Sequence, residues 1–197
     1  MTKTREQVDD ELALYDRQIR LWGSEAQARM QNSLVLVCGF GCVHAEVVKN
    51  IVLAGISIVV QDVELCTAED LGGNFFLSPE DIGTPRGPAA LHRVREMNPH
   101  ISVEVDNRAM SELSQEYLSR FGVVLVSDAS DKDALRLNDI CRASSPQIPL
   151  FFSGAFCSEA WFVSDLGDKF EYKADPVQNM GDTKRSENER TQQLKRK

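Results

Sequence analysis

No apolar run in this chain approaches the roughly 20 residues that a membrane-crossing helix needs, so no span is expected. The first twelve residues, MTKTREQVDDEL, lack an apolar core and are not expected to act as a secretory signal. An excess of positive charge is also missing. Lys and Arg total 22 against 30 Asp and Glu, a formal net charge of −8. That balance disfavours non-specific binding of nucleic acid, so no nucleic-acid or membrane partner is expected. The five cysteines, Cys38, Cys42, Cys66, Cys141 and Cys157, form no C-x-x-C pair. Neither a zinc knuckle nor a redox motif is therefore suggested, and no metal site is expected. Cys38 and Cys141 fall in apolar or helical patterns and read as buried thiols. The set fits an intracellular, reducing compartment. What remains, 42% hydrophobic and 26% charged residues in 197, is an ordinary globular balance for one domain with a tail.

A third glycine is missing where it matters most. Leu34, Val35, Leu36 and Val37 form a short apolar strand, and Gly39-Phe40-Gly41 follows at once. A helical pattern runs over 44–54 and stops at Gly55. A second apolar strand, 56–60, ends at Gln61-Asp62. This is one βαβ unit with a nucleotide-type glycine turn and an acid about 20 residues later. A working dinucleotide fingerprint reads G-x-G-x-x-G, the third glycine allowing close helix–strand packing. Here the turn reads Gly39-x-Gly41-x-x-His44. The fold signal survives and the phosphate signal weakens. A βαβ unit that binds no nucleotide is an equal alternative.

Residues 8–31 carry a helical pattern broken near Gly23, with Leu12, Tyr15, Ile19 and Trp22 as one apolar stripe. Arg17 and Arg20 lie beside the stripe, and by pattern alone they are solvated. Residues 63–90 are rich in Gly, Pro, Asp and Ser, a loop long enough to signal function. Phe75, Phe76 and Leu77 are expected to anchor it. A helix over 88–98 ends at Pro99. Ile101, Val103 and Val105 alternate as a third strand. A short helix over 111–120 has Ser111 as its N-cap with half a capping box. A fourth strand spans 123–126. A helix over 131–143 has Leu135, Leu137 and Ile140 as apolar positions. Strands follow over 149–152 and 160–163. Such alternation specifies a doubly wound, mainly parallel α/β sheet with right-handed crossovers, ligands sitting at the carboxyl ends of the strands. Residues 181–197 carry six basic and three acidic residues, leaving −11 on the preceding 180. The region 171–197 reads as a disordered charged tail. Lys184-Arg185 and Lys195-Arg196-Lys197 have the spacing of a bipartite nuclear-import signal, so a nuclear location, with some cytoplasmic protein, is one expectation. A merely solvated tail is the other.

Further motifs carry a family resemblance. Tyr15-Asp16-Arg17-Gln18-Ile19-Arg20-Leu21-Trp22-Gly23 resembles the N-terminal signature of the ubiquitin-like-modifier activating enzymes, whose adenylation domains share the Rossmann-like fold of ThiF and MoeB. The resemblance continues through Ala45-Glu46-x-x-Lys49-Asn50, Leu53-Ala54-Gly55, Asp62, Glu69-Asp70, Asn74-Phe75-Phe76-Leu77, Asp81-Ile82-Gly83 and Met97-Asn98-Pro99. It covers roughly residues 10–170, and it implies an adenylation-type domain over 8–170 with an N-terminal helical extension. Within the family the pattern is similar to the smaller, non-thioester subunits of the SUMO-activating enzymes. The counterpart subunit for the cullin modifier is the nearest relative, and Gly73-Asn74-Phe75-Phe76-Leu77 is more similar to that one.

The resemblance also implies roles. In active members a G-x-G-G-x-G loop faces the phosphates, an Asp after the second strand holds the ribose, and an Arg and a Lys clamp the phosphates. An Asp after the fourth strand binds magnesium. This chain keeps Gly39, Gly41 and Asp62 and has Arg86 at the lysine position. Cys42 and His44 replace loop glycines, Gly73 stands at the clamping arginine, and ungapped alignment puts Ala129, next to Asp128, at the magnesium position. Losing several such contacts together should abolish adenylation. The cofactor set is thus a vestige, and the chain is similar to the inactive half of a pair. In the family the Arg of Tyr-Asp-Arg-Gln enters the partner's ATP site, which gives Arg17 a role in trans. ATP and magnesium are then bound mainly by the larger, catalytic-cysteine subunit, with a SUMO-type modifier as the other partner. A catalytic-cysteine domain does not fit in this length. Because the family's smaller subunits continue after the sixth strand, a truncated form, a fragment or an alternative product stays open. So do a non-catalytic binding module and a self-sufficient ThiF-like adenylating enzyme.

Overall fold

The computed structural model describes residues 13–171. Leu12 of the expected stripe and the basic clusters of the tail lie outside the described residues. Strands β1 (Leu34–Cys38), β2 (Ser57–Gln61), β3 (Val103–Asp106), β4 (Val123–Val126), β5 (Leu150–Phe156) and β6 (Glu159–Asp165) form one sheet in the order β3-β2-β1-β4-β5-β6. Helices α1 (Asp16–Gln31), α2 (Cys42–Leu53), α3 (Arg86–Met97), α4 (Gln115–Leu118) and α5 (Asp131–Ala143) accompany it. The first five strands run parallel, and β6 returns antiparallel from β5. Leu36 pairs with Val59 on one side and with Val124 on the other. The strand order therefore reverses at β1, and a crevice opens at the carboxyl ends of β1 and β4.

Alternation along the strands feeds two apolar layers. Val35, Val37, Ile58 and Val60 pack under α2 and α3 with Val48, Val52, Ala90 and Val94. Leu36, Cys38, Val59, Val124 and Val126 pack under α4 and α5 with Leu118, Leu137 and Cys141. Each fully buried Val or Leu contributes about 1.5–3 kcal/mol, so this two-sided packing dominates the fold. Helix α2 ends in a Schellman motif. Gly55, at φ 90°, donates from its N–H to Val52 O at 3.0 Å, and Ile56 N–H donates to Ile51 O at 3.1 Å.

Several expectations need correction. Helix α2 starts at Cys42, and α3 starts at Arg86. Phe76 and Leu77 are buried, but Phe75 is about half exposed, its ring resting against that of Phe76 with centroids 4.5 Å apart. The helix expected over 111–120 is a four-residue turn, and its cap is Ser114, which accepts from Tyr117 N–H. Ser111 lies instead in a 3-10 turn, Met110–Glu112. Leu135 is exposed, unlike Leu137, and Trp22 is only partly covered. Strand β5 runs on to Phe156, so the β5–β6 hairpin projects and leaves Phe156, Trp161 and Phe162 exposed. Gly23 does break α1, with φ 86° and ψ 160°.

Candidate functional site

The glycine turn after β1 is a tight junction between three strands. Gly39 sits at φ 81°, and a Cβ there would lie 2.5 Å from Ser127 O at the end of β4. Its N–H donates to Gln61 O at 2.8 Å. Gly41 caps α2. Between them the Phe40 N–H donates to Asp62 Oδ2 at 2.6 Å, and Phe40 O accepts from Asn74 Nδ2 at 2.8 Å. The phenyl ring of Phe40 stacks on Phe76.

His44 points inward, not into the crevice. It is 1% exposed, and its Nδ1 lies 2.7 Å from Gly39 O. A carbonyl only accepts, so Nδ1 carries the proton. Nε2, 3.4 Å from Ser153 Oγ, is then left as the acceptor. Burial pushes the His44 pKa below its ordinary value, so the ring is neutral. The side chain that replaces the third glycine thus fastens the turn to β5 from beneath.

Asp62 and Arg86 come together, but they bind each other. Arg86 Nη2 lies 3.0 Å from Asp62 Oδ2, and Arg86 Nη1 lies 3.0 Å from Asp70 Oδ1. The Asp62 side chain is 1% exposed and that of Arg86 is 10% exposed. Asp62 Oδ1 also accepts from Glu64 N–H at 2.7 Å. Burial raises the Asp62 pKa, against the pull of Arg86. Burial alone would lower that of Arg86, yet the two carboxylates hold it above its ordinary value. Both Asp62 oxygens and both Arg86 Nη atoms are thus engaged within the protein, while the buried Arg86 Nε has no hydrogen-bond partner. Asp70, to which no role was given, completes the clasp. Its only sequence signal is its place in Glu69-Asp70.

Two small cavities flank this clasp. One, of about 190 Å³, is lined by Gly39, Gln61, Asp62, Glu64, Arg86, Asp128 and Asp133 among others. The other, of about 360 Å³, borders Gly41, Cys42, Glu69, Asp70, Gly73, Arg86 and Asp128. Asp128 adopts φ 56°, and its Oδ2 would lie 2.7 Å from a Cβ on Gly41. A carboxylate therefore already rests beside the start of α2, where the helix dipole favours negative charge. Gly73 faces Cys42: a Cβ there would stand 2.6 Å from Cys42 Cβ. Among the described residues no group of three or more His, Cys, Asp or Glu could hold a metal ion.

Arg17 is nowhere near this crevice. Helix α1 is moored at the opposite end of α2, where Gln18 Nε2 donates to Leu53 O at 3.3 Å and Gln27 Nε2 to Ala54 O at 3.0 Å. The 12 residues of α2 separate that end from the glycine turn by about 18 Å. Arg17 is exposed and has no ion pair among the described residues.

The ThiF family model matches residues 15–189. The chain belongs to the ThiF family. Curated relatives include the SUMO-activating enzyme subunit 1 of Xenopus tropicalis, 36% identical over 161 residues, which are 81% of this chain and 46% of that protein. The human protein of the same name is 34% identical over the same shares. The DNA damage tolerance protein RHC31 of Saccharomyces cerevisiae is 36% identical over 159 residues, 80% of this chain and 45% of that protein. The chain thus spans less than half the length of these relatives. A crystal structure of E. coli MccB with MccA-N7isoASN shares the fold, with a TM-score of 0.66 and 18% identity over 82% of this chain and 52% of that one.

ThiF-family domains are adenylation-type folds that in general bind ATP. The residues of this ThiF domain do not fit an ATP triphosphate. The two cavities present six carboxylates (Asp62, Glu64, Glu69, Asp70, Asp128 and Asp133) and one cation, Arg86, which two of them already neutralise.

Proposed function

We propose that this chain is the supporting, non-thioester subunit of a heterodimeric SUMO-activating enzyme. In this reading the larger partner subunit binds ATP and magnesium and adenylates the modifier's C-terminus. This chain supplies a surface for pairing and Arg17 for the partner's nucleotide. A guanidinium is permanently charged and forked, which suits the oxygens of a triphosphate. The observation that carries the reading is the mutual neutralisation of Asp62 and Arg86, which leaves this chain's own crevice without a free cation. The exposure of Arg17, on a helix moored at the end of α2 opposite that crevice, supports action on another chain. The relatives named SUMO-activating enzyme subunit 1 support the choice of modifier over its cullin-directed counterpart.

The test is co-purification of the chain with the larger subunits of the SUMO and cullin-modifier activating enzymes, followed by ATP–pyrophosphate exchange. We expect pairing with the SUMO-directed subunit, exchange by the pair, and no ATP binding by calorimetry to the lone chain. Pairing without exchange would make the chain a non-catalytic binding module. Micromolar ATP binding by the lone chain would favour a self-sufficient enzyme. We also propose that Lys184-Arg185 and Lys195-Arg196-Lys197 direct nuclear import. A reporter fused to residues 165–197 should then enter the nucleus, and a reporter that stays cytoplasmic contradicts it.

A further inference from the structure

Two residues before Arg17, a buried tyrosine plugs helix α1 into the domain. Tyr15 immediately precedes the first helical residue, and Ile19 N–H donates to its carbonyl at 2.9 Å. Its side chain is 1% exposed. The hydroxyl end of the ring abuts Gly55, where a Cβ would stand 2.9 Å from both Cζ and the hydroxyl oxygen. Only glycine leaves room for it. The hydroxyl accepts from Asn98 Nδ2 at 2.7 Å, and the same amide nitrogen donates to Val52 O at 2.8 Å. Asn98 is 2% exposed, and its Oδ1 is occupied by the His100 N–H at 3.1 Å. The amide is therefore held at two points, Val52 O and the His100 N–H, apart from its bond to the tyrosine. Its orientation is fixed, and with it the position of the Tyr15 hydroxyl. On the other side of Arg17, the Gln18 side chain reaches Leu53 O. Of the residues that flank Asp16-Arg17, Gln18 is thus tied to the last turn of α2 directly and Tyr15 through Asn98, while Arg17 itself is exposed.

We infer that Tyr15 and Asn98 are positioning residues for Arg17: their buried hydrogen bond fixes the first turn of α1 and so the direction in which the guanidinium leaves the domain. A long flexible side chain delivered to another chain's site needs a rigid base. A displacement of about 1 Å at a reacting centre can cost a hundredfold in rate. The sequence spacing is consistent with this use. Tyr15 lies 83 residues from Asn98, so the bond pins the N-terminal extension to the end of α3 as well as to α2. A cap within α1 would hold the helix together without orienting it, and Tyr15 makes no side-chain cap bond.

This inference rests on the proposed role of Arg17 in trans, and a double-mutant cycle separates the two. The variants are Tyr15→Phe, Arg17→Ala and the double variant, each paired with the larger SUMO-activating subunit. Tyr15→Phe keeps the ring in its socket and removes only the hydroxyl. It should lower the Tm by about 2–4 °C and lower pyrophosphate exchange by about tenfold. In the Arg17→Ala background it should cause no further loss of exchange, because it acts only through Arg17. In the lone chain, amide hydrogen exchange over residues 16–20 should rise about tenfold in Tyr15→Phe and stay unchanged in Arg17→Ala. If Arg17→Ala lowers exchange and Tyr15→Phe lowers it equally in both backgrounds, the tyrosine is merely structural and the inference fails. Full exchange activity in Tyr15→Phe overturns it too. If Arg17→Ala is itself without effect, the role in trans falls first and the positioning role falls with it.

Discussion

Arg86 shows how one residue can change its work without changing its place. It stands where an active relative is expected to hold a phosphate-clamping lysine, yet its fork spans Asp62 and Asp70 at 3.0 Å each. A lysine is a point donor and could not bridge both carboxylates in this way. Arg86→Ala would leave Asp62 buried and uncompensated, and should cost about 3–5 kcal/mol in urea unfolding. Arg86→Lys should lose less, and a loss under about 1 kcal/mol for the alanine variant would fit an exposed pair instead. His44 makes a second residue-level prediction. Its folded pKa lies below the ordinary 6.5 because it is buried. The unfolded chain therefore binds a proton first as pH falls below about 6.5, and the folded state loses stability from there down to the lowered folded value. His44→Gln should flatten that part of the stability profile between pH 7.5 and 5.5. An unchanged slope would place the titration elsewhere.

The glycine turn, α2 and the crossover loop behave as one element, because Gly73 has no room for a side chain while Cys42 faces it. Gly73→Ala should therefore be destabilising alone and much less so in a Cys42→Gly background. Chemical denaturation of the four variants gives the coupling, expected within about 0.5–3 kcal/mol for residues in contact. Purely additive effects would show that the loop yields freely. The same element marks the limit of what the sequence discloses. Strand β4 and helix α5 were legible to the residue, because an unbroken apolar run and a helical spacing of apolar positions are local signals. Gly55 was legible for the same reason. Phe75 and Leu135 were not, because periodicity gives a face but cannot say whether anything covers it. Ser111 lost the capping role to Ser114, since short helices are set by what packs on them and not by propensity. At the site, Asp62, Arg86, Gly39 and Gly41 could be named from motif positions. Their internal neutralisation could not, because it depends on how a 24-residue crossover brings Asp70 back to the strand end. His44 read only as the replacement of a loop glycine that weakens the phosphate signal, and its burial shows that it is a fastener.

At the scale of the molecule, the two ends of α2 have separate tasks. One end closes a carboxylate-rich crevice around Arg86. The other moors α1 and presents Arg17 outward. This polarity fits the proposed role as one half of a pair. The measurement that bears most directly on it is ATP–pyrophosphate exchange in a reconstituted pair with the larger SUMO-activating subunit. Each subunit alone, the pair, and the pair carrying Arg17→Ala or Arg17→Lys should be compared. Arg17 is exposed, so its replacement should change stability by less than about 0.5 kcal/mol. We expect little exchange from either subunit alone and robust exchange from the pair. Arg17→Ala should reduce the rate at least tenfold, about 1.4 kcal/mol of barrier, with only partial recovery for Arg17→Lys. An Arg17→Ala pair that assembles normally and exchanges pyrophosphate at the wild-type rate would contradict the account and leave Arg17 as a solvated surface residue.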